Sequence, residues 1–278
     1  MLHSARAPEA SRPVAPHRVR EEARLRRIWR FGGLVTYLAR RLLVDPLVAP
    51  VRAATFRARL QALRTAEEQE ARIPVRRLAE LCPQTGRVEV DIGPLTDGNP
   101  TAVELFCLGA IVRASGARCV FEIGTFDGTT TLQLALNSPE DAVVWTLDLP
   151  AENLDRTRYP LLPQERAYIM KPASGSRLQG TPAGAKVRQL FGDSATFAFA
   201  PYLGRMDLVV VDGSHALDYV RSDSANALAL ARPGGWIVWH DYGVWPDVTT
   251  VLHELSPRLS LVRLEGTSLV ATRVPAAP

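Results

Sequence analysis

The sequence is short of lysine, cysteine and long apolar runs, and each shortage removes a class of explanation. Only Lys171 and Lys186 are lysines among 33 basic residues, so the basic character rests on arginine. Three cysteines (Cys82, Cys107 and Cys119) are an odd number without metal-ligand spacing. They argue against a disulfide framework and for inert core thiols in a reducing compartment, so a cytoplasmic location is expected. No uninterrupted apolar run is long enough to span a bilayer. Residues 1–30 are rich in Arg and Pro and lack the apolar segment of a secretory signal. Two nucleotide fingerprints are also missing. Phe126 stands where the second glycine of Gly-x-Gly-x-x-Gly would be, and no Gly-Lys-Ser/Thr of a phosphate-binding loop follows.

What is present suits a globular protein with an appendage. The 278 residues are 46% hydrophobic and 22% charged, enough for an ordinary core. Charge is unevenly spread. Residues 1–80 hold 17 Arg against 8 acids, a net of +9, whereas the remainder holds 16 basic residues against 21 acids, a net of −5. Residues 1–18, with Pro8, Pro13 and Pro16, are expected to be a disordered tail. Residues 19–98 are expected to form a basic helical extension, with helices over Arg20–Leu43, Leu47–Ala71 and Val75–Leu81 and a short strand at Val88–Ile92. The apolar and basic stretch 20–56 suits packing or a dimer interface, hence a homo-oligomer, and otherwise a peripheral contact with a membrane surface.

From residue 99 to 278 the pattern alternates. Asn99-Pro100-Thr101 opens a helix that Gly116 ends. The apolar stretches Arg118–Ile123, Val143–Leu147, Val187–Phe191, Met206–Val211 and Trp236–Trp239 read as strands. Helices over Thr129–Leu136, Asp218–Ala231 and Val248–Leu255 separate them, Pro233-Gly234-Gly235 stopping the second. Leu259–Leu264 and Ser268–Arg273 close the chain as a hairpin. The irregular stretch 150–185, with five prolines, is expected to be a lid or insert. The expectation is an α/β fold: a doubly wound, Rossmann-like, seven-stranded sheet, mostly parallel, with one antiparallel strand in the C-terminal hairpin. Ligands in such sheets sit outside the carboxyl ends of the strands. Glu122, Asp148, Asp193, Asp212 and Asp241 all fall at or just past that edge.

The first strand runs into the turn Gly124-Thr125-Phe126-Asp127-Gly128 and then a helix. Glu-x-Gly-x-x-x-Gly here, with an acid ending the next strand, resembles the class I S-adenosylmethionine-dependent methyltransferases over about residues 99–273. The resemblance implies that Glu122, Gly124, Thr125, Phe126 and Gly128 line the methionine part of the cofactor. It implies that Asp148 accepts the two ribose hydroxyls, a pairing a carboxylate makes naturally, that Asp193 and Ser194 lie near the adenine, and that Asp212 is a further cofactor contact.

Val209-Val210-Val211-Asp212-Gly213-Ser214-His215 and Trp236-Ile237-Val238-Trp239-His240-Asp241-Tyr242 further resemble the methyltransferase-domain-24 type. That group is similar to metal-dependent O-methyltransferases of small molecules, including macrolide sugars. The resemblance implies Asp212 and Asp241 as ligands of a divalent metal (Mg²⁺ or Mn²⁺), and His215 as general base. His240 replaces an acid of the family's pair. Two readings therefore stay open: an ion that tolerates imidazole, with His240 a third ligand, or no ion, with His215 or His240 working alone. The chemistry needs one or the other, because a hydroxyl is mostly protonated at neutral pH and an imidazole or a metal must help remove the proton. Tyr159, Tyr242 and Trp245 are expected to line the acceptor pocket. A small-molecule acceptor is expected rather than nucleic acid, since Asp212-Gly213-Ser214-His215 stands where nucleobase enzymes carry Asn/Asp-Pro-Pro-aromatic. The competing class is a weak or inactive protein of this fold that docks to a membrane or partner through its N-terminal helices.

Overall fold

The computed structural model describes residues 73–93, 96–171 and 173–276. The tail, the helices expected before residue 72 and the membrane contact through 20–56 lie outside the described residues. Fourteen strands and helices follow in order. β1 is Val75–Arg76, α1 Leu78–Leu81, α2 Ala102–Ser115, β2 Cys119–Ile123, α3 Thr129–Asn137 and β3 Val143–Asp148. After them come α4 Arg166–Ile169, β4 Val187–Phe191, β5 Met206–Val211, α5 Leu217–Leu230, β6 Ala231–Trp239, α6 Pro246–Leu255, β7 Val262–Leu264 and β8 Val270–Arg273. They build one sheet in the order β1-β7-β8-β6-β5-β2-β3-β4. Only β8 runs antiparallel to its neighbours.

The sheet has eight strands rather than the expected seven. The eighth is β1, in a stretch expected to be helical. Val75 pairs with Arg263 and Arg76 with Leu264. Pro74 disfavours helical backbone at Ile73, and at the edge of β7 the Arg263 and Glu265 amides donate to the Pro74 and Arg76 carbonyls. The strand expected at Val88–Ile92 does not form. There the Glu89 and Asp91 amides bond the side chains of Asn137 and Gln133 on α3 instead. The sheet domain thus already includes residues expected to belong to the appendage. Pro233-Gly234-Gly235 forms an irregularity inside β6, where the register shifts between Met206 and Leu208, rather than a break between helix and strand.

Alternation along the strands sorts side chains onto two buried layers. Phe121, Ile123, Val209, Val211, Ile237 and Trp239 pack with Val220 and Leu230 of α5 and Val251 and Leu252 of α6. Val120, Val144, Leu208, Val210 and Val238 pack on the other face with Leu108 and Ile111 of α2 and Leu132 and Ala135 of α3. Each fully buried aliphatic side chain is worth about 1.5–3 kcal/mol, so the strand ends have little freedom. α2 starts with a reciprocal cap between Thr101 and Glu104 and stops at Gly116 with a φ of 61°. α3 starts after the glycine turn, where Asp127 Oδ1 accepts the Thr129 amide at 2.9 Å.

Strand order reverses between β2 and β5, and there the loop ends are stitched together. The Gly124 amide donates to Leu147 O at 2.8 Å, Asp212 to Ile123 O at 2.9 Å and His240 to Val211 O at 3.1 Å. This is the switch point at which α/β sheets open a crevice.

Candidate active site

A cleft of about 960 Å³ opens at that switch point. Its floor is the turn Gly124–Asp127. Its walls come from Leu147 and Leu149, Gly192–Ser194, Asp212–His215, Asp241 and Trp245. The stretch 150–185 folds over one side and supplies Leu161, Glu165, Tyr168 and Ile169. Of the expected cofactor residues, Gly124, Thr125, Phe126, Asp193, Ser194 and Asp212 line the cleft, whereas Glu122, Gly128 and Asp148 lie outside its lining.

Those three have identifiable work. Glu122 is completely buried, on the α3 side of β2, where the Thr131 and Thr146 hydroxyls donate to its Oε2. Burial pushes its carboxyl up to about 8 against those hydrogen bonds, so it is neutral at pH 7. It braces β2, β3 and α3 beneath the turn. Gly128 has a φ of 92°, and a Cβ there would press on Leu178 and Gly175 of the insert. Gly124 has a φ of 103°, and a Cβ there would collide with the Asp212 carbonyl. The two glycines therefore let neighbouring chain segments close on the turn. Asp148 is 8% exposed, and its Oδ2 is paired with Lys171 Nζ of the insert at 2.6 Å. The same ammonium lies 6.0 Å from the centre of the Phe126 ring. Asp193 is also engaged, accepting the Arg158 amide at 2.6 Å, the Ala195 amide at 3.0 Å and Tyr219 Oη at 2.8 Å.

The rim opposite holds the histidines. His215 Nε2 lies 2.9 Å from Asp241 Oδ2, and Nδ1 lies 3.0 Å from Glu165 Oε1. The ring stacks on Trp245 at 4.5 Å and 16°. Burial opposes charge on this ring, but the hydrogen bonds to Asp241 and Glu165 outweigh it and push the imidazole up to about 9. His215 is therefore an imidazolium at neutral pH in this arrangement, with both nitrogens donating.

Glu165 was not foreseen from the sequence. It sits in Pro163-Gln164-Glu165, part of the insert where no periodicity marks a residue. It accepts the Leu162 amide at 2.9 Å, the Ser214 hydroxyl at 3.0 Å and the His215 amide as well as its ring. Burial works against its charge, and the hydrogen bond from His215 holds it below the usual carboxylate range. One carboxylate thus ties the insert to the Asp212–His215 loop.

Behind this, Asp212, His240 and Asp241 each offer a donor atom, all within 4.8 Å of one another. His240 Nδ1 lies 3.1 Å from Asp212 Oδ1 and 3.4 Å from Asp241 Oδ1. Asp241 has a left-handed φ of 67°, which aspartate tolerates better than most residues. That turn places its carboxylate between the two imidazoles. Burial raises Asp241, but the His240 charge and the His215 hydrogen bond hold it well below its ordinary value. For His240, burial favours the neutral ring, and the charges of Asp212 and Asp241 override it and raise it well above its ordinary value. Two carboxylates and one imidazole converging this closely suit a divalent ion such as Mn²⁺, Fe²⁺ or Zn²⁺ better than Mg²⁺, which prefers oxygen alone. Of the expected acceptor-pocket aromatics, Trp245 lines the cleft. Tyr242 is buried, its Oη 2.9 Å from His253 Nε2, and Tyr159 packs edge-on against Tyr219.

Comparison with known proteins places this geometry. Residues 121–242 match a protein family described as a methyltransferase domain. The match runs from β2 through the residue after Asp241, so it contains both the glycine turn and the histidine rim. No curated protein matches the chain. Among solved structures, the chain is similar to the O-methyltransferase TomG from Streptomyces achromogenes, involved in tomaymycin synthesis and solved in complex with SAM. The identity is 20%, over 80% of this chain and 99% of that one, with a TM-score of 0.46. An O-methyltransferase from Bacillus cereus, in complex with SAH, is 18% identical over 77% of this chain and 90% of that one, with a TM-score of 0.43. At these scores neither likeness adds to what the family match and the strand order give. By that match residues 121–242 form a methyltransferase domain, on a sheet whose strand order brings the glycine turn and the histidine rim to one crevice.

Proposed function

We propose that the protein moves the methyl group of S-adenosylmethionine onto a hydroxyl of a small molecule, a sugar or another natural product. The observation that supports this most is the meeting of His215 with Asp241, Asp212 and His240 at the rim of the cleft, beside the glycine turn. When bound, the cofactor supplies an electrophilic methyl on a sulfonium that departs as a neutral thioether. The residues then have two tasks: to hold the acceptor oxygen in line and to take its proton.

In this reading the turn Gly124–Asp127 with Leu147 and Leu149 would hold the cofactor, and Asp193 and Ser194 would face its adenine. Asp148 would take the ribose hydroxyls on release from Lys171. His215 takes the acceptor proton at Nε2 once that nitrogen turns from Asp241 Oδ2 to the acceptor. It does so only as the neutral imidazole, so turnover rises with pH towards about 9. Trp245 and Glu165 keep the ring in its plane. Asp212, His240 and Asp241 are the residues that would hold a divalent ion, which would supply Lewis acidity to the acceptor oxygen. The lid side, through Leu161, Tyr168 and Ile169, gives the acceptor an apolar wall that fits an organic molecule better than a free nucleotide.

The test is incubation of the full chain with methyl-labelled cofactor and a panel of hydroxylated small molecules, followed by a search for labelled products. The expected result is a product whose formation is lost in the double variant His215→Ala, Asp212→Asn. Undiminished turnover in that variant would remove this mechanism.

A further inference from the structure

Glu104 is a buried carboxylate that the proposed chemistry does not use. It is the third residue of α2 and 4% exposed. A capping glutamate ordinarily lies in water, and burying one costs free energy unless its charge is compensated. Oε1 accepts the Ser268 amide at 2.8 Å and the Ser268 hydroxyl at 2.6 Å. Oε2 accepts the Thr101 amide and hydroxyl, each at 2.8 Å, and lies 3.5 Å from His240 Nε2. The carboxylate is thus fixed by the start of α2 and by the turn between β7 and β8, and it faces His240 from the side away from the two aspartates.

His240 is divided accordingly. Its Nδ1 faces Asp212 and Asp241. Its Nε2 is buried, makes no hydrogen bond, and has Glu104 as its facing carboxylate. An imidazole can ligate an ion through one nitrogen only if that nitrogen is bare, and a carboxylate at the far nitrogen is what selects that tautomer.

We propose that Glu104 is the positioning residue of a divalent-metal centre formed by Asp212, His240 and Asp241. It holds the proton on His240 Nε2, so that Nδ1 presents a lone pair beside the two carboxylates. This rests on the proposed reading of that trio as a metal site. It also accounts for the cost of burying Glu104, since the carboxylate adds negative charge behind a cation.

The test is titration of the full-length protein with Mn²⁺ alone, followed by electron paramagnetic resonance. Loss of the free-ion signal reports affinity, and nitrogen modulation of the bound signal reports imidazole coordination. The wild type is expected to bind one ion with nitrogen modulation, and Asp212→Asn to lose it. Glu104→Gln is expected to bind roughly ten- to a hundredfold more weakly, the range seen for partners of ligating histidines, with the modulation reduced. Thr101→Ala removes the helix cap and one of the four hydrogen bonds to the carboxylate, leaves the Thr101 amide and both Ser268 bonds in place, and is expected to bind as the wild type does. Wild-type affinity in Glu104→Gln would overturn the role of Glu104 and leave the metal site standing. Equal weakening in Thr101→Ala would also overturn it, by assigning the effect to the cap. If the wild type binds no Mn²⁺, the metal reading falls and Glu104 falls with it.

Discussion

Replacing Glu122 by glutamine should make the protein more stable in alkali and change little in acid. The unfolded chain holds this carboxyl near its ordinary 4.5, and the folded chain raises it to about 8. Between those values the unfolded state has lost the proton and the folded state keeps it. Wild-type stability therefore falls as pH rises through that window, by up to about 1.4 kcal/mol per pH unit. The interval spans roughly 3.5 units, so the upper bound at pH 9 is about 5 kcal/mol. Water penetration and local relaxation reduce it. Glutamine has nearly the same shape, never ionises, and can still accept from the Thr131 and Thr146 hydroxyls. Below pH 5 the variant should lie within about 1 kcal/mol of the wild type, the worth of one adjusted hydrogen bond. Urea unfolding at a series of pH values from 5 to 9 would show the wild-type curve falling away from a flatter variant curve. Parallel curves, or a variant less stable at pH 9 than the wild type, would refute the neutral, buried Glu122. Because Glu122 does not line the cleft, cofactor affinity should stay within about threefold at pH 7; a loss beyond tenfold would restore it as a cofactor contact.

Three further outcomes follow from the same geometry. Lys171→Met removes the partner that occupies Asp148, and a charge-assisted hydrogen bond of about 1.5–3 kcal/mol no longer has to be displaced. Calorimetry should then show S-adenosylmethionine binding roughly ten- to a hundredfold tighter, together with a less stable cofactor-free protein; weaker binding would mean that Lys171 supports the cofactor. Glu165→Gln removes one of the two charges that favour the His215 imidazolium. Its titration, followed by nuclear magnetic resonance, should move from about 9 towards 6.5, and an unmoved midpoint would contradict the clamp. Gly124→Ala sets a side chain at a φ of 103° against the Asp212 carbonyl. The backbone strain alone is about 1–3 kcal/mol, so unfolding should shift by at least that much, and an unchanged midpoint would show that the turn can relax.

Much of this architecture was legible in the sequence because it rests on strong local signals. The strands β2, β3, β5 and β6 are continuous apolar runs that leave few alternatives in a parallel sheet. Asn99-Pro100-Thr101, and the turn from Gly124 to Gly128, marked helix starts that the structure contains. Asp212, His215 and Asp241 could be placed on one rim because they fall within four residues of the ends of β5 and β6. β1 was missed because a two-residue strand has no period, and its partner β7 lies almost 190 residues away in the chain. Glu165, Lys171 and the brace role of Glu122 were missed for a related reason. Each is defined by what faces it from another element of the fold, and the insert that carries the first two has no repeating pattern. Glu104 was not singled out in the sequence; its capping of α2 and its burial against His240 and Ser268 emerge only from the fold.

The cleft at the switch point between β2 and β5 is proposed to take S-adenosylmethionine, and the histidine rim beside it to do the chemistry. Calorimetric titration of the full-length protein with S-adenosylmethionine tests this most directly, run in parallel on His215→Ala. Saturable binding of one molecule per chain is expected for both proteins, with affinities within about threefold, because His215 is not among the residues assigned to hold the cofactor. No saturable binding to the wild type, or binding that disappears with His215, would contradict it.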